Sequence, residues 1–248
     1  MRGLDYTIYE YMNLDYKFMI SDFPIVLRAL PVTLALTLWS MLFAVAVAVL
    51  FGAIILRNVP ILKQIVMAIN SFLKGIPLIV QLLFCYYAIP YLLSNLDGFL
   101  FIKFDPRNVP YFGAAVTAFA FNFGAYMTDV VVSSVKAVDK GQLEACYSVG
   151  MTKFQGMMKI IIPQAAVISI PNMANYFIWL LKATSIASVV NVVEMLTTAR
   201  ISASDGYQYM EAYLVAAAIY WIVCIVVERL IKRLDVRVGS YNKKLTVA

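Results

Sequence analysis

Two side chains of opposite charge lie within or at the end of long uncharged stretches of this sequence. Asp129 follows an uncharged stretch at 108–128, and Lys182 follows another at 160–181. A charge beside so many apolar residues is costly in lipid, so it usually faces the interior of a helix bundle or a water-filled cavity. The two residues have the signs needed to hold a zwitterionic solute. The alternative is structural: Asp129 lies near an interface and Lys182 extends to one, or each pairs with another group.

A predicted helix break is the second candidate for contact with a solute. In Gly75-Ile76-Pro77, the proline has no N–H and clashes with the carbonyl four residues earlier, so a helix should kink or break here. The freed carbonyls near Leu73 and Lys74 suit the ammonium of a ligand, since broken helices often line solute sites in membranes. A kink that serves packing alone is the alternative.

Neutral polar side chains in apolar stretches complete the predicted solute pathway. Hydrogen bonding between helices is an adequate alternative explanation for each of them. They are Gln81, Asn122, Thr184 and Ser185.

The composition indicates which elements position these residues. The chain is 62% hydrophobic and 14% charged, whereas a soluble domain is nearer half apolar and a quarter charged. A helix needs about 20 apolar residues to cross a bilayer. The sequence therefore predicts an all-α integral membrane bundle of five transmembrane helices. Their apolar stretches are 29–56, 75–96, 108–128, 160–181 and 212–227.

The distribution of Lys and Arg predicts the orientation. Most of them lie in 57–74, in 136–159 and from residue 229 onward, while most acids lie in the other connections. The positive-inside rule then places the N-terminus outside and the C-terminus in the cytoplasm. The net charge of +6 is interpreted as topology and contact with anionic membrane lipids, not as binding of nucleic acid.

Three regions are predicted along the chain. The first 23 residues are acidic and aromatic, unlike a cleavable signal peptide, and are predicted to be an extracytoplasmic or interfacial segment. Residues 24–235 form the membrane domain, and 236–248 form a cytoplasmic tail.

Several kinds of chemistry have no residues to support them. The sequence has no histidine, and its three cysteines, Cys85, Cys146 and Cys224, are far apart, so no metal site or disulfide framework is predicted. No P-loop occurs, so this chain is not predicted to bind ATP. A membrane enzyme would need paired carboxylates or a nucleophile with a base, and neither is found. If the solute moves at the expense of ATP, another subunit must hydrolyse it.

The inner connection 139–163 has the pattern of two short capped helices. Asp139 with Gln142, and Thr152 with Gln155, have the spacing of a capping box, and Gly150 lies where the first helix would end in a left-handed residue. The connection is predicted to be a helix–turn–helix under the membrane. It either anchors two spans or docks on a cytoplasmic partner. The docking stripe would be Tyr147, Phe154, Met157 and Met158.

A resemblance favours docking. Glu144-Ala145-Cys146, three residues, Gly150, nine residues, Ile160, one residue, and Ile162-Pro163 closely resembles the EAA loop of ABC-importer permeases. The family pattern is Glu-Ala-Ala, three residues, Gly, nine residues, Ile, one residue, Leu-Pro. In that family the loop forms coupling helices that dock into a groove of the nucleotide-binding subunit. The resemblance implies a coupling role for Glu144, Ala145, Tyr147, Gly150, Phe154 and Pro163.

Three further motifs resemble those of polar amino-acid permeases, and the likeness runs from about residue 31 to 220. Residues 74–81, Lys-Gly-Ile-Pro-Leu-Ile-Val-Gln, resemble Arg-Gly-Thr-Pro-Leu-Leu-Val-Gln. Residues 122–129 resemble the signature of the third span, with Asp129 where Glu is usual. Residues 181–185 resemble Leu-Lys-Asp-Thr-Ser, with Ala183 in place of the acid.

The resemblance implies a type I ABC importer permease of the subfamily that carries histidine, glutamine, arginine and cystine. It also implies two ABC ATPase subunits that bind ATP and Mg, a second permease copy (identical or a related paralogue), an extracytoplasmic solute-binding protein, and the bacterial cytoplasmic membrane. The chain itself would be a transport subunit without a cofactor, not an enzyme. The rival is an ion-coupled secondary amino-acid transporter, against which the capped loop argues. The charges within the spans weigh against a purely structural subunit.

Overall fold

The computed structural model describes residues 14–95 and 110–246, except for the side chains of residues 93, 95 and 234–246. Within these ranges the chain is helical, with no strand, which confirms the predicted all-α bundle. The α-helices are α1 (Tyr16–Leu27), α2 (Leu30–Arg57), α3 (Pro60–Gly75), α4 (Leu78–Asn95), α5 (Tyr111–Ala137), α6 (Lys140–Ser148), α7 (Lys153–Gly156), α8 (Ile162–Ala183), α9 (Met195–Ser202) and α10 (Tyr209–Thr246). A π-helix (Met157–Ile161) joins α7 to α8, and a 3-10 helix (Thr184–Val190) follows α8.

Four helical segments are long and apolar enough to cross a membrane, and a bent pair can supply a fifth crossing. The four are α2, α5, the continuous run Lys153–Val190, and Tyr209–Arg233 of α10. The pair is α3 with α4, whose axes differ by 108°. This agrees with the five predicted spans, the second of which holds the predicted break.

The bounds of the spans differ from their apolar stretches. The predicted start of the third span at residue 108 lies outside the described residues, and α5 continues past residue 128 to Ala137. Helix α10 likewise begins before residue 212 and runs through most of the predicted tail. Charged residues do not end a helix, because its backbone bonds are internal and Lys side chains can extend to the interface.

Helix α1 buries an acidic side chain and exposes several apolar ones. Its cap is Asp15, whose Oδ1 accepts from the amide of Phe18 at 2.9 Å. Ile20 on the outer face is 76% exposed, while Asp22 is fully buried. Among the described residues, neither carboxylate oxygen of Asp22 has a hydrogen-bond partner. Since α1 runs to Leu27, it crosses the predicted region boundary at residue 23.

Close packing of α2 against α5 forms the centre of the bundle. A Cβ at Gly124 would lie 2.8 Å from Cβ of Val47 and 3.1 Å from the carbonyl of Ala44, and one at Gly52 would lie 2.7 Å from Val131. Small residues allow membrane helices to approach in this way. Helix α5 also contacts α3, α4 and α8. It therefore presents its polar residues to the break between α3 and α4.

Candidate functional site

The predicted break in the second span is confirmed. Helix α3 ends at Gly75, Ile76 is extended (φ −98°, ψ 134°), and α4 begins at Leu78. The amides of Val80 and Gln81 donate to the carbonyl of Pro77 and start the new helix. Because Pro77 has no N–H and clashes with the preceding turn, the chain changes direction here.

Polar side chains satisfy the carbonyls that the break exposes. Gln81 Nε2 donates to the carbonyls of Leu73 (2.6 Å) and Ile76 (3.0 Å). Asn122 Nδ2 donates to the carbonyl of Leu73 at 3.4 Å, and the hydroxyl of Tyr126 donates to the backbone carbonyl of Lys74 at 3.3 Å. An unpaired carbonyl is expensive in an apolar medium, so a broken helix needs such donors. The carbonyls predicted to suit a ligand's ammonium are thus engaged by the protein, and Gln81 and Asn122 stabilise the break.

Asp129 pairs with Lys74 rather than with Lys182. The ammonium of Lys74 lies 2.5 Å from Asp129 Oδ2 and 5.7 Å from the centre of the Tyr126 ring. The Lys74 side chain is 24% exposed and that of Asp129 is 71% exposed. The sequence placed Lys74 in a motif, among the inner-side charges and beside the predicted break, but did not pair its side chain with Asp129. Its proximity to Asp129 depends on the break, which places the end of α3 against α5.

Two aromatic residues of α8 extend this site. The rings of Tyr126 and Tyr176 stack at 6.4 Å, and Tyr176 meets Trp179 edge to face at 5.7 Å. Tyr176 lies within range of the charge of Asp129, and Trp179 is 60% exposed. Sequence reasoning did not single out Tyr176 or Trp179. The spacing of three between Tyr176 and Trp179, which places them on one face of a helix, was the available signal.

The remaining predicted pathway residues lie at the C-terminal end of α8 and in the 3-10 helix that follows it. Lys182 is exposed and within electrostatic range of Cys224 and Glu228 of α10. The hydroxyl of Thr184 is buried and donates to the carbonyl of Leu181 at 2.6 Å, and Ser185 donates to Lys182 at 2.9 Å. These contacts stabilise the passage into the 3-10 helix, and a pathway role for the three residues stays a prediction.

A buried carboxylate that sequence reasoning did not single out caps α9. Glu194 is fully buried. Its oxygens accept from the amides of Leu196 (2.9 Å) and Thr197 (2.8 Å), the Thr197 hydroxyl (3.1 Å) and the Tyr220 hydroxyl (2.7 Å). Burial raises the pKa of Glu194, and these donors partly oppose the rise. An acid directly before a short helix was the available signal.

The inner loop contains the predicted helix–turn–helix, and its turn is well defined. Gly150 has φ +77°. Its amide donates to the backbone carbonyl of Tyr147 (3.0 Å), and the amide of Met151 donates to the backbone carbonyl of Cys146 (2.9 Å). These two bonds form the Schellman motif that ends α6.

One of the two predicted capping boxes is confirmed. The backbone amide of Thr152 donates to Oε1 of Gln155 at 2.9 Å, and the backbone amide of Gln155 donates to Oγ1 of Thr152 at 3.3 Å. At the other, Asp139 Oδ1 accepts from the amide of Gly141 at 2.7 Å, but Gln142 does not bond back to it. Gln142 instead faces Gln164 at 3.5 Å. The predicted reciprocal box at Asp139 is therefore wrong, because a tertiary neighbour holds the Gln142 amide.

The loop exposes an apolar face around Gly150. Tyr147, Val149, Phe154 and Met158 are 47%, 75%, 70% and 50% exposed. Met157, predicted to belong to this stripe, packs instead against the cluster of Val138, Ile161 and Ala165. The other predicted coupling residues, Glu144, Ala145 and Pro163, are exposed. The loop thus has the apolar, rigidly capped surface that a docking element needs.

Comparison with known proteins decides the family. The profile of the family described as "binding-protein-dependent transport system inner membrane component" matches residues 44–240. The chain belongs to this family. The match includes the broken span, the capped loop and most of α10, so the features described above lie within the family's common region.

Relatives of this inner membrane component match along nearly their whole length. The probable amino-acid permease protein YxeN of Bacillus subtilis is 37% identical over 86% of this chain and 91% of its own. The L-cystine transport system permease protein TcyL of the same organism is 34% identical over 92% and 93%. A solved amino acid ABC transporter with histidines has a TM-score of 0.77 at 31% identity, covering 91% of this chain and 100% of that one. The MetNI methionine ABC transporter, at 18% identity and a TM-score of 0.60, shares the fold.

Proposed function

We propose that this chain is the translocation subunit of an ATP-driven importer for a polar L-amino acid or a derivative such as cystine. As an inner membrane component of a transport system, it is a transporter subunit and not a catalytic one. Similar proteins are named as amino-acid and cystine permeases. These names support the substrate class.

The loop 139–163 couples this subunit to a separate ABC ATPase. The observation that carries the proposal is the exposed apolar face of Tyr147, Phe154 and Met158 around the Gly150 turn. Its two helices are capped at Asp139 and Thr152, so their surface is rigid enough to transmit movement. Burial of an exposed Phe typically contributes roughly 1.5–3 kcal/mol. ATP and Mg belong to the partner.

The assembly has two permease subunits, two ATPases and an extracytoplasmic solute-binding protein, in the bacterial cytoplasmic membrane. The N-terminus lies outside and the C-terminus in the cytoplasm, supported by the concentration of Lys and Arg on the loop side. The translocation path follows the exposed side of the broken span, where Asp129 lies, with Gly75, Pro77, Gln81 and Asn122 forming its support.

Reconstitution in liposomes with the cognate ATPase and binding protein tests the proposal. ATP hydrolysis should rise with the loaded binding protein, and uptake of one polar amino acid should follow. Phe154→Ala should lower uptake per ATP hydrolysed. Phe84→Ala is the control, because Phe84 is similarly exposed (69%) but lies on α4.

Two results would contradict the proposal. Uptake driven by an ion gradient without the ATPase would identify a secondary transporter. Equal coupling in the Phe154 and Phe84 variants would remove the docking role of the loop.

A further inference from the structure

The pair of Lys74 and Asp129 shows which chemical group this site accepts. Lys74 brings an alkyl ammonium to Asp129 Oδ2 at 2.5 Å, beside the face of the Tyr126 ring. A carboxylate and an aromatic face together favour a cation. In this structure the ammonium of Lys74 itself occupies the position beside Asp129.

Asp129 retains the capacity to bind a second partner. Its side chain is 71% exposed, and Lys74 is its one hydrogen-bonding partner among the described residues. Glu194 offers a contrast, since that carboxylate is fully buried and accepts four hydrogen bonds. Asp129 thus combines, beside the broken span, a carboxylate with an open approach and a flexible counterion.

The charge balance restricts the ligand. The described walls of the site add three aromatic side chains, Tyr126, Tyr176 and Trp179. Lys182 is within electrostatic range of Glu228 of α10. Lys74 and Asp129 therefore neutralise each other. A zwitterion inserted between them converts one ion pair into two and keeps the site neutral, whereas an additional net charge would be costly beside apolar spans.

We propose that the Lys74–Asp129 pair is the binding site for a net-neutral amino acid, whose ammonium replaces Lys74 on Asp129 and whose carboxylate then pairs with Lys74. This rests on the proposed function and specifies its substrate as one without a net charge. The exposed ring of Trp179 and its neighbour Tyr176 form the wall for the ligand's side chain. The four-carbon stem of Lys74 lets the ammonium move without a change in the backbone.

The melting temperature of the purified permease–ATPase assembly, without binding protein, tests the site. The probes are L-cystine and the net-neutral protein amino acids, set against L-arginine and L-glutamate. At least one neutral probe should raise the melting temperature in a saturable way, while arginine and glutamate should not. Asp129→Asn should weaken the apparent affinity about tenfold or more, because it removes a charge-assisted hydrogen bond. The control is Glu228→Gln, an ion-paired carboxylate of α10.

A charge exchange separates binding from a structural latch. Lys74→Asp combined with Asp129→Lys keeps an ion pair between α3 and α5 but reverses its polarity relative to the ligand. The ligand-free melting temperature should recover to that of the wild type, while the shift caused by the neutral probe should stay lost. Recovery of both would show that the pair is a latch and overturn the inference.

The inference and the proposed function fail in different ways. If the full assembly imports an amino acid with ATP but no probe shifts the wild-type melting temperature, or a charged probe shifts it most, the net-neutral site is wrong and the importer stands. If the full assembly shows no ATP-driven uptake, the proposed function itself is wrong.

Discussion

The hydroxyl of Tyr220 donates a hydrogen bond of 2.7 Å to Oε2 of Glu194, which joins α10 to the start of α9. Glu194 also caps α9, and the amide of Met195 donates to the hydroxyl of Thr33 on α2 at 3.3 Å. One buried cluster thus connects three elements at the end of the bundle where α8 gives way to the 3-10 helix.

Tyr220→Phe should destabilise the protein by about 1–3 kcal/mol, because the buried carboxylate of Glu194 loses one of its four donors. The melting temperature in detergent measures the effect. Tyr213→Phe on the same helix is the control, since Tyr213 is 42% exposed and contacts Tyr209 through its ring. Equal melting temperatures of the two variants would contradict a stabilising role for the bond.

Glu194 should make stability depend on pH. Burial raises the pKa of Glu194 above its ordinary value of 4.5. An acid with a raised pKa in the folded state stabilises that state fully below its unfolded pKa, and the contribution is lost as the pH rises through the folded pKa. The melting temperature of the wild type, minus that of Glu194→Gln, should therefore fall as the pH increases above 4.5. A difference that rises over this range would contradict the assignment.

Gly150→Ala should destabilise the coupling loop by about 1–2 kcal/mol, because the left-handed φ of +77° places a Cβ against the following carbonyl. Gly150→Asn should cost less, since Asn adopts this conformation more readily. Nothing lies within 4 Å of the added Cβ, so the effect is one of backbone strain. Proteolysis of the loop measures it, and equal protection of both variants would exclude strain as the cause.

Gly124→Ala should destabilise the protein by about 1–3 kcal/mol through overpacking of α5 against α2. The added Cβ would lie 2.8 Å from Val47 and 3.1 Å from a backbone carbonyl that cannot move aside. Gly113→Ala is the matched control on the same helix, where the nearest atom lies at 3.7 Å. The melting temperature should fall only for Gly124→Ala.

Gln81→Leu should destabilise the broken span by about 1–3 kcal/mol. Among the described residues, the carbonyl of Ile76 loses its side-chain donor and that of Leu73 keeps only Asn122. Thr117→Val is the control, since Thr117 bonds a carbonyl of its own helix. Hydrogen exchange of the α4 amides should quicken in the Gln81 variant alone. Unchanged exchange would show that the break does not need this side chain.

The sequence was sufficient for features that depend on local chemistry. Apolar length predicted the spans, because a helix must satisfy its backbone internally and bury about 20 residues in lipid. Pro77 predicted the break, and Gly150 with the Thr152–Gln155 box predicted the hinged loop, because each acts through atoms within one or two turns. The spacing of the loop's residues also indicated the family.

Tertiary structure decided which distant groups meet. Asp129 and Lys182 had complementary signs, yet the 108° bend brings Lys74 to Asp129, and Lys182 lies towards α10. The side chain of Gln142 contacts Gln164 instead of capping its own helix, and Glu194 lies at the centre of a buried cluster. The physical reason is the same in each case. Residue type and spacing determine the local backbone, whereas the partner of a charged or polar side chain depends on how helices remote in sequence pack together.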